Sequence, residues 1–231
     1  MKTHVRHPDF FRLLTLRTIG NFLILISLFS IIKTFYEPVA GEIRYFVDKI
    51  NGTQYILSSS KEEEQLAQKG QLAELIRNNK VQIITPKDPG FSIVIPAIGA
   101  NAKIVANVNS ADSTDYLAAL KKGVAHAAGS AYPGENGHIF LFAHSTDYFW
   151  NVGNYNAVFY LLYKVKQNDE VNLFYKDRRY TYKVTGSKIV DPSEVEYLTR
   201  KSPDELVTLQ TCWPPGTTLK RLLIFAKRVA E

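Results

Sequence analysis

The sequence predicts a mostly β domain, a closed or nearly closed barrel with a few short helices, preceded by an N-terminal transmembrane helix. Three observations predict it. Ile19–Ile32 (IGNFLILISLFSII) runs for fourteen residues without a charge, close behind a basic start. Pro86 and Pro89-Gly90 then interrupt the chain. Beyond residue 90 come short β-like runs divided by turn-forming residues, the texture of sandwiches and barrels.

Composition narrows the function classes. At 231 residues the chain has room for one main domain plus an appendage. Thirteen Gly, ten Pro and 12% aromatic residues exclude a collagen-like or low-complexity chain. A single cysteine, Cys212, excludes a disulfide framework and a cysteine-based zinc finger. Such a thiol is either a buried small hydrophobe or a reactive group. Half of the net charge of +6 lies at the start, where Lys2, Arg6, Arg12 and Arg17 face only Asp9. The remainder shows no basic run interleaved with aromatics, so nucleic acid is not an expected partner.

The apolar run is short for a membrane span, which needs about 20 residues. Leu13–Leu16 and Thr34–Tyr36 lengthen it, and Arg17 and Lys33 can snorkel toward the headgroups. A buried core helix is the competing reading, disfavoured by the lack of a polar face and by the basic flank. A cleaved signal peptide is the other. Its best cleavage site, Pro38-Val39-Ala40, matches the small-x-small pattern poorly. An uncleaved signal anchor therefore fits best. The positive-inside rule puts residues 1–17 in the cytoplasm, 18–36 in the membrane and the rest outside. Membrane lipid is thus an expected partner.

Residues 37–84 read as a helical linker, because 61–80 (KEEEQLAQKGQLAELIRNNK) is rich in helix formers with an apolar stripe. Residues 85–231 form the globular domain. Its expected strands are Phe91–Ile95, Lys103–Ala106, His138–Ala143, Glu170–Tyr175, Tyr180–Val190, Leu206–Thr211 and Arg221–Arg228. Asp112-Ser113 caps a short helix through Leu120, and Asn156–Tyr163 is a second helical or irregular piece.

Chemistry concentrates at strand ends. Cys212 closes an apolar run and precedes Trp213-Pro214-Pro215-Gly216, a strong turn signal that can leave the thiol accessible. A nucleophilic thiol needs a base or cation to favour the thiolate. His144 ends another apolar strand and is a candidate base. Arg221 starts the strand after the turn; if the two strands form a hairpin, it lies across from Cys212. On these grounds alone, strand-end Cys and His residues can equally be structural.

The segments Thr208-Leu209-Gln210-Thr211-Cys212 and Lys220-Arg221-Leu222-Leu223-Ile224 resemble the active-site strand pair of sortases, with its TLxTC motif and downstream Arg. The likeness extends in order. Phe91–Val105 resembles the first two strands of that family. Gly123–His126 and Pro133-Gly134-Glu135-Asn136-Gly137 resemble the loop and turn before its histidine strand. Phe142-Ala143-His144-Ser145 resembles its histidine site, and Asp169–Val184 its later strands. Together these cover about 140 residues, long enough to bury a core of their own.

The resemblance implies an eight-stranded sortase-type β-barrel and a membrane-anchored cysteine transpeptidase. By motif match, Cys212 is the nucleophile, His144 the general acid/base and Arg221 the stabiliser of substrate and oxyanion. Such an enzyme cleaves an LPxTG-like C-terminal sorting signal after Thr, through a thioacyl intermediate. Its partners are then secreted proteins carrying that signal and an amine acceptor, either a cell-wall peptidoglycan precursor or a pilin lysine. A non-catalytic peptide-binding barrel and a hydrolysing cysteine endopeptidase are the alternatives.

Two features depart from the family pattern. Ala143 stands where Gly is common, and the Trp213–Lys220 connection is short for an elaborate specificity loop. The long aromatic stretch after His144 (STDYFWNVGNYN) has no assigned role. Around the site, His126 is a candidate to orient His144, and Thr211 a candidate to shape the oxyanion region or simply to fill a strand. Asp191, Glu194, Glu196 and Asp204 read as solvated charges, so neither a metal nor another cofactor is expected.

Overall fold

A computed structural model describes residues 8–58, 61–78, 80–145 and 158–229. It divides into two compact units, 1–40 and 41–231. The expected basic residues Lys2 and Arg6, most of the aromatic stretch after His144, and the start of the Asn156–Tyr163 piece lie outside the described residues.

Helix α1 spans Pro8–Asn51. Within it, Asp9–Lys33 is long and apolar enough to cross a membrane and has no buried residue. An apolar helix with no protein cover is what a bilayer, rather than a core, would solvate.

The linker region is not wholly helical. Gln54–Leu57 (β1) and Val81–Ile84 (β2) pair in parallel, with helices α2 (Lys61–Gln68) and α3 (Leu72–Arg77) as the crossover. Each strand is only four residues long, too short to show against the helix formers between them. Ile56, Leu57 and Val81 are buried by this small layer.

Eight further strands close a barrel: β3 (Phe91–Ile95), β4 (Ala100–Val108), β5 (Val124–Ala127), β6 (His138–Phe142), β7 (Glu170–Tyr175), β8 (Arg178–Val190), β9 (Leu206–Trp213) and β10 (Lys220–Arg228). The order around it is β10-β8-β7-β3-β4-β5-β6-β9, with β9 returning to β10. Two of the pairings, β4–β5 and β6–β9, are parallel. β3 (FSIVI) and β6 (HIFLF) are buried along their whole length, which explains their unbroken apolar runs.

The expected strands are all present: Phe91–Ile95 and Glu170–Tyr175 as expected, β6 ending one residue sooner at Phe142, and β4, β8, β9 and β10 running one to three residues further at one or both ends. β5 is the strand that the sequence did not reveal. Its four residues, VAHA, offer a single β-branched side chain. Entry to it requires Gly123, where a Cβ would meet the Lys103 carbonyl oxygen at 2.2 Å. The preceding helix α4 (Ser113–Leu120) starts as expected, with Asp112 accepting from the Thr114 amide at 2.9 Å. The piece near 160 is a 3-10 turn, Tyr160–Lys164, that buries Leu161 and Leu162.

Candidate active site

Cys212 and Arg221 are direct partners in the antiparallel β9–β10 ladder. Side chains so opposed share one sheet face, with Cβ atoms about 5 Å apart. Their neighbours Thr211 and Leu222 point the other way and are buried. Both Cys212 and Arg221 are half-buried, on the face away from the core.

β6 brings His144 to the same place. Its last residue, Phe142, pairs with Gln210, and the ladder continues through an Ala143 amide donating to the Gln210 carbonyl at 3.1 Å. His144 lies two residues past Phe142, and Cys212 two residues past Gln210. This equal offset puts both residues at the same end of two strands about 4.8 Å apart. The C-terminal ends of β6 and β9 and the N-terminal start of β10 thus present His, Cys and Arg together.

Electrostatics at the site oppose one another. Burial pushes the Cys212 thiol above its usual value, and the Arg221 charge draws it back down. Burial therefore favours the neutral thiol, and attack on a carbonyl calls for a base. Arg221 is itself held by the turn: its Nη1 donates to the carbonyls of Thr218 and Lys220, both at 3.0 Å. Among the described residues no group of three or more His, Cys, Asp or Glu side chains is arranged to hold a metal.

The sequence model of the sortase domain matches residues 93–229, the span that builds this barrel and its three strand ends. The chain belongs to the sortase family. It is 32% identical over 138 residues to sortase D of Bacillus subtilis, covering 58% of this chain and 61% of that relative's length. Among solved structures, sortase C-1 of Actinomyces oris aligns with a TM-score of 0.51 at 30% identity, covering 63% of this chain and 76% of that one. A pilus-related sortase C of group B Streptococcus aligns with a TM-score of 0.51 at 26% identity, over 61% and 66% of the two chains.

In this sortase-family barrel, the two remaining candidates sit differently from the trio. His126 lies opposite Leu141 in the β5–β6 ladder, fully buried. The His126 ring is occupied: Nε2 lies 2.9 Å from the Ala131 carbonyl and 3.0 Å from the Ser130 hydroxyl, and Nδ1 accepts from the Asn107 amide at 3.3 Å. Burial depresses its pKa below the ordinary imidazole value. These contacts make it a structural histidine of the 127–132 turn.

Thr211 is buried too, and its hydroxyl donates to the Ala143 carbonyl at 2.9 Å. Its side chain faces the core. Its contact tethers the backbone just before His144.

Two contacts beside the site carried no sequence signal. Tyr197, in the 3-10 turn Val195–Tyr197, packs on Phe225 and takes a hydrogen bond from Lys188 at 2.6 Å. This anchors the irregular segment leading into β9 against the face that carries Arg221. Tyr163 lies against Trp213, the residue after Cys212, with ring centroids 5.5 Å apart. Nothing in local periodicity marks either tyrosine. Both contacts join segments distant in sequence.

Proposed function

We propose that this chain is a membrane-anchored cysteine transpeptidase that cleaves an LPxTG-like C-terminal sorting signal after Thr and transfers the acyl part to an amine. The observation that carries this reading is the direct Cys212–Arg221 register with His144 at the end of the adjoining parallel strand. Family membership supports the reaction type, and the apolar stretch Asp9–Lys33 supports the anchor. The basic N-terminal flank supports a cytoplasmic N-terminus and an extracellular barrel.

Each residue has one task. His144 takes the thiol proton, and the Cys212 sulfur attacks the scissile carbonyl, forming a C–S bond. Arg221 donates hydrogen bonds to the oxyanion that develops. The His144 imidazolium then protonates the departing amine as the C–N bond breaks, leaving a thioacyl enzyme. An incoming amine attacks that carbonyl, gives its proton to His144, and releases Cys212. Secreted proteins bearing the signal are the donors. A peptidoglycan precursor or a pilin lysine is the acceptor.

The test incubates the detergent-solubilised full chain with an LPxTG-type peptide, with and without a small amine, and analyses products by mass spectrometry. An amine-ligated product that is lost in Cys212→Ala is the expected result. Cleavage to the free acid regardless of amine would replace transpeptidation with hydrolysis. An untouched panel of sorting peptides would leave only a binding role.

A further inference from the structure

We propose that Tyr163, held by Glu42 of helix α1, is a positioning residue that sets the placement of Arg221 through Trp213 and the turn between β9 and β10. The contacts run without a gap. The Tyr163 hydroxyl donates to Glu42 Oε1 at 2.5 Å, and Lys164 reaches Glu42 Oε2 at 3.3 Å. The Tyr163 ring lies on Trp213. Trp213 opens the turn, which Thr217 closes by donating from both its amide and its hydroxyl to the Pro214 carbonyl, at 3.0 and 2.8 Å. The next carbonyl, that of Thr218, accepts from the Arg221 guanidinium. Arg221 in turn faces Cys212.

Chemistry explains why this chain of contacts transmits a displacement. Hydrogen bonds to a carboxylate are stronger than those between neutral groups, so Glu42 fixes the Tyr163 ring firmly. Burial and the Glu42 hydrogen bond both push the Tyr163 pKa up, which keeps the phenol protonated as the donor. A ring held at one end and packed at a tilt of 54° on Trp213 at the other restrains the indole. The closed turn then carries that restraint to the Thr218 carbonyl as a unit. Glu42 lies nine residues past the end of the candidate membrane span, Asp9–Lys33.

The inference rests on the transpeptidase reading only for its activity arm, and thiol reactivity tests it independently. Cys212 is the only cysteine, so iodoacetamide reports on it alone. Its alkylation is followed against pH in the full chain in detergent, for wild type, Tyr163→Phe, Glu42→Ala, Glu42→Gln and the Tyr163→Phe/Glu42→Ala double variant. Tyr163→Phe keeps the ring on Trp213 and removes only the hydroxyl. With Arg221 less well placed, its charge lowers the thiol pKa less. The profile of Tyr163→Phe and Glu42→Ala should therefore move to higher pH, slowing alkylation near neutrality by roughly 2- to 30-fold, the usual range for such couplings. The double variant should be no slower than the more affected single variant, because both break one contact. Glu42→Gln retains an acceptor and should return most of the rate. Unchanged profiles with intact folding, profiles moved to lower pH, or fully additive defects would overturn the proposal. Equal impairment by Glu42→Gln and Glu42→Ala would transfer the effect to the Lys164 ion pair and overturn the role of the Tyr163 hydroxyl. In the peptide assay the same variants should lower kcat more than they raise KM. Shifted alkylation profiles in an enzyme that transfers no peptide would refute the transpeptidase reading and leave the positioning role standing.

Discussion

Thr211 hands its hydroxyl hydrogen to the carbonyl of Ala143, so the residue before the thiol grips the residue before the histidine. The two strands already share a parallel ladder. This bond extends their pairing past the last ladder partner, to the point where β6 gives way to loop.

Thr211→Val keeps the shape and removes the donor. The Ala143 carbonyl, next to a core position, then lacks its partner, a loss worth about 1–3 kcal/mol. Turnover on a sorting peptide should fall roughly 3- to 30-fold through misplacement of His144. Thr211→Ser should recover most of it. Equal turnover in Val and Ser variants would remove any role for the hydroxyl in placing His144.

Arg221→Lys keeps the charge but loses the planar fork that bonds two acceptors at once. Without an oxyanion donor, kcat/KM should drop by at least about 10²-fold. Lys220→Ala is the neighbouring control, although Lys220 is not free of contacts: it pairs with Asp191 at 2.6 Å. Both side chains are about half exposed, and such a surface pair is worth roughly 0–1 kcal/mol, so near-wild-type activity is expected. Wild-type kcat/KM in a folded Arg221→Lys protein would send the search for the oxyanion donor elsewhere.

The two histidines should separate cleanly. His144→Ala should cost roughly 10²- to 10⁴-fold in rate with little change in melting temperature, as expected for loss of an acid/base. His126→Ala should do the reverse. It strips the Ala131 and Ser130 contacts and the acceptor for the Asn107 amide from a fully buried site, so its main effect is a lower Tm. Matching rate losses in the two variants would contradict this division of roles.

His138 gives the barrel an acid limit. Burial is the main cause that depresses its pKa to about 4 from the ordinary 6.5, and its Nε2 sits 2.8 Å from the Thr208 hydroxyl. Between those two values the unfolded chain binds a proton that the folded chain refuses. Stability therefore rises with pH through this window and is lost as pH falls from about 6.5 toward 4. The histidine accounts for roughly 3 kcal/mol of that loss. His138→Gln should narrow the difference between Tm at about pH 7.5 and about pH 4.5, read by near-ultraviolet circular dichroism. An unchanged difference would mean that His138 does not set the acid limit.

The sequence by itself determined the segments of this protein and the identities of its three strand-end residues. Apolar runs bounded by Gly, Pro and Asn marked seven of the eight barrel strands, because strand period and turn chemistry are local properties. The β9–β10 hairpin was legible for the same reason: nine residues separate Cys212 from Arg221, and one turn joins them. β5 escaped notice because VAHA has almost no β-propensity; its place is set by parallel pairing with β4 and by the space that Gly123 leaves. The neighbourhood of His144 and Cys212, 68 residues apart, was readable only through family resemblance, since their strands pair in parallel across a long crossover. His126 shows the limit most plainly. One residue of register decides which face its imidazole takes, and that register comes from β5 pairing with β6. Glu42 and Tyr163 stand 121 residues apart. Nothing local joins them, because such contacts depend on loop closure and packing of the whole chain, which only the tertiary structure decides.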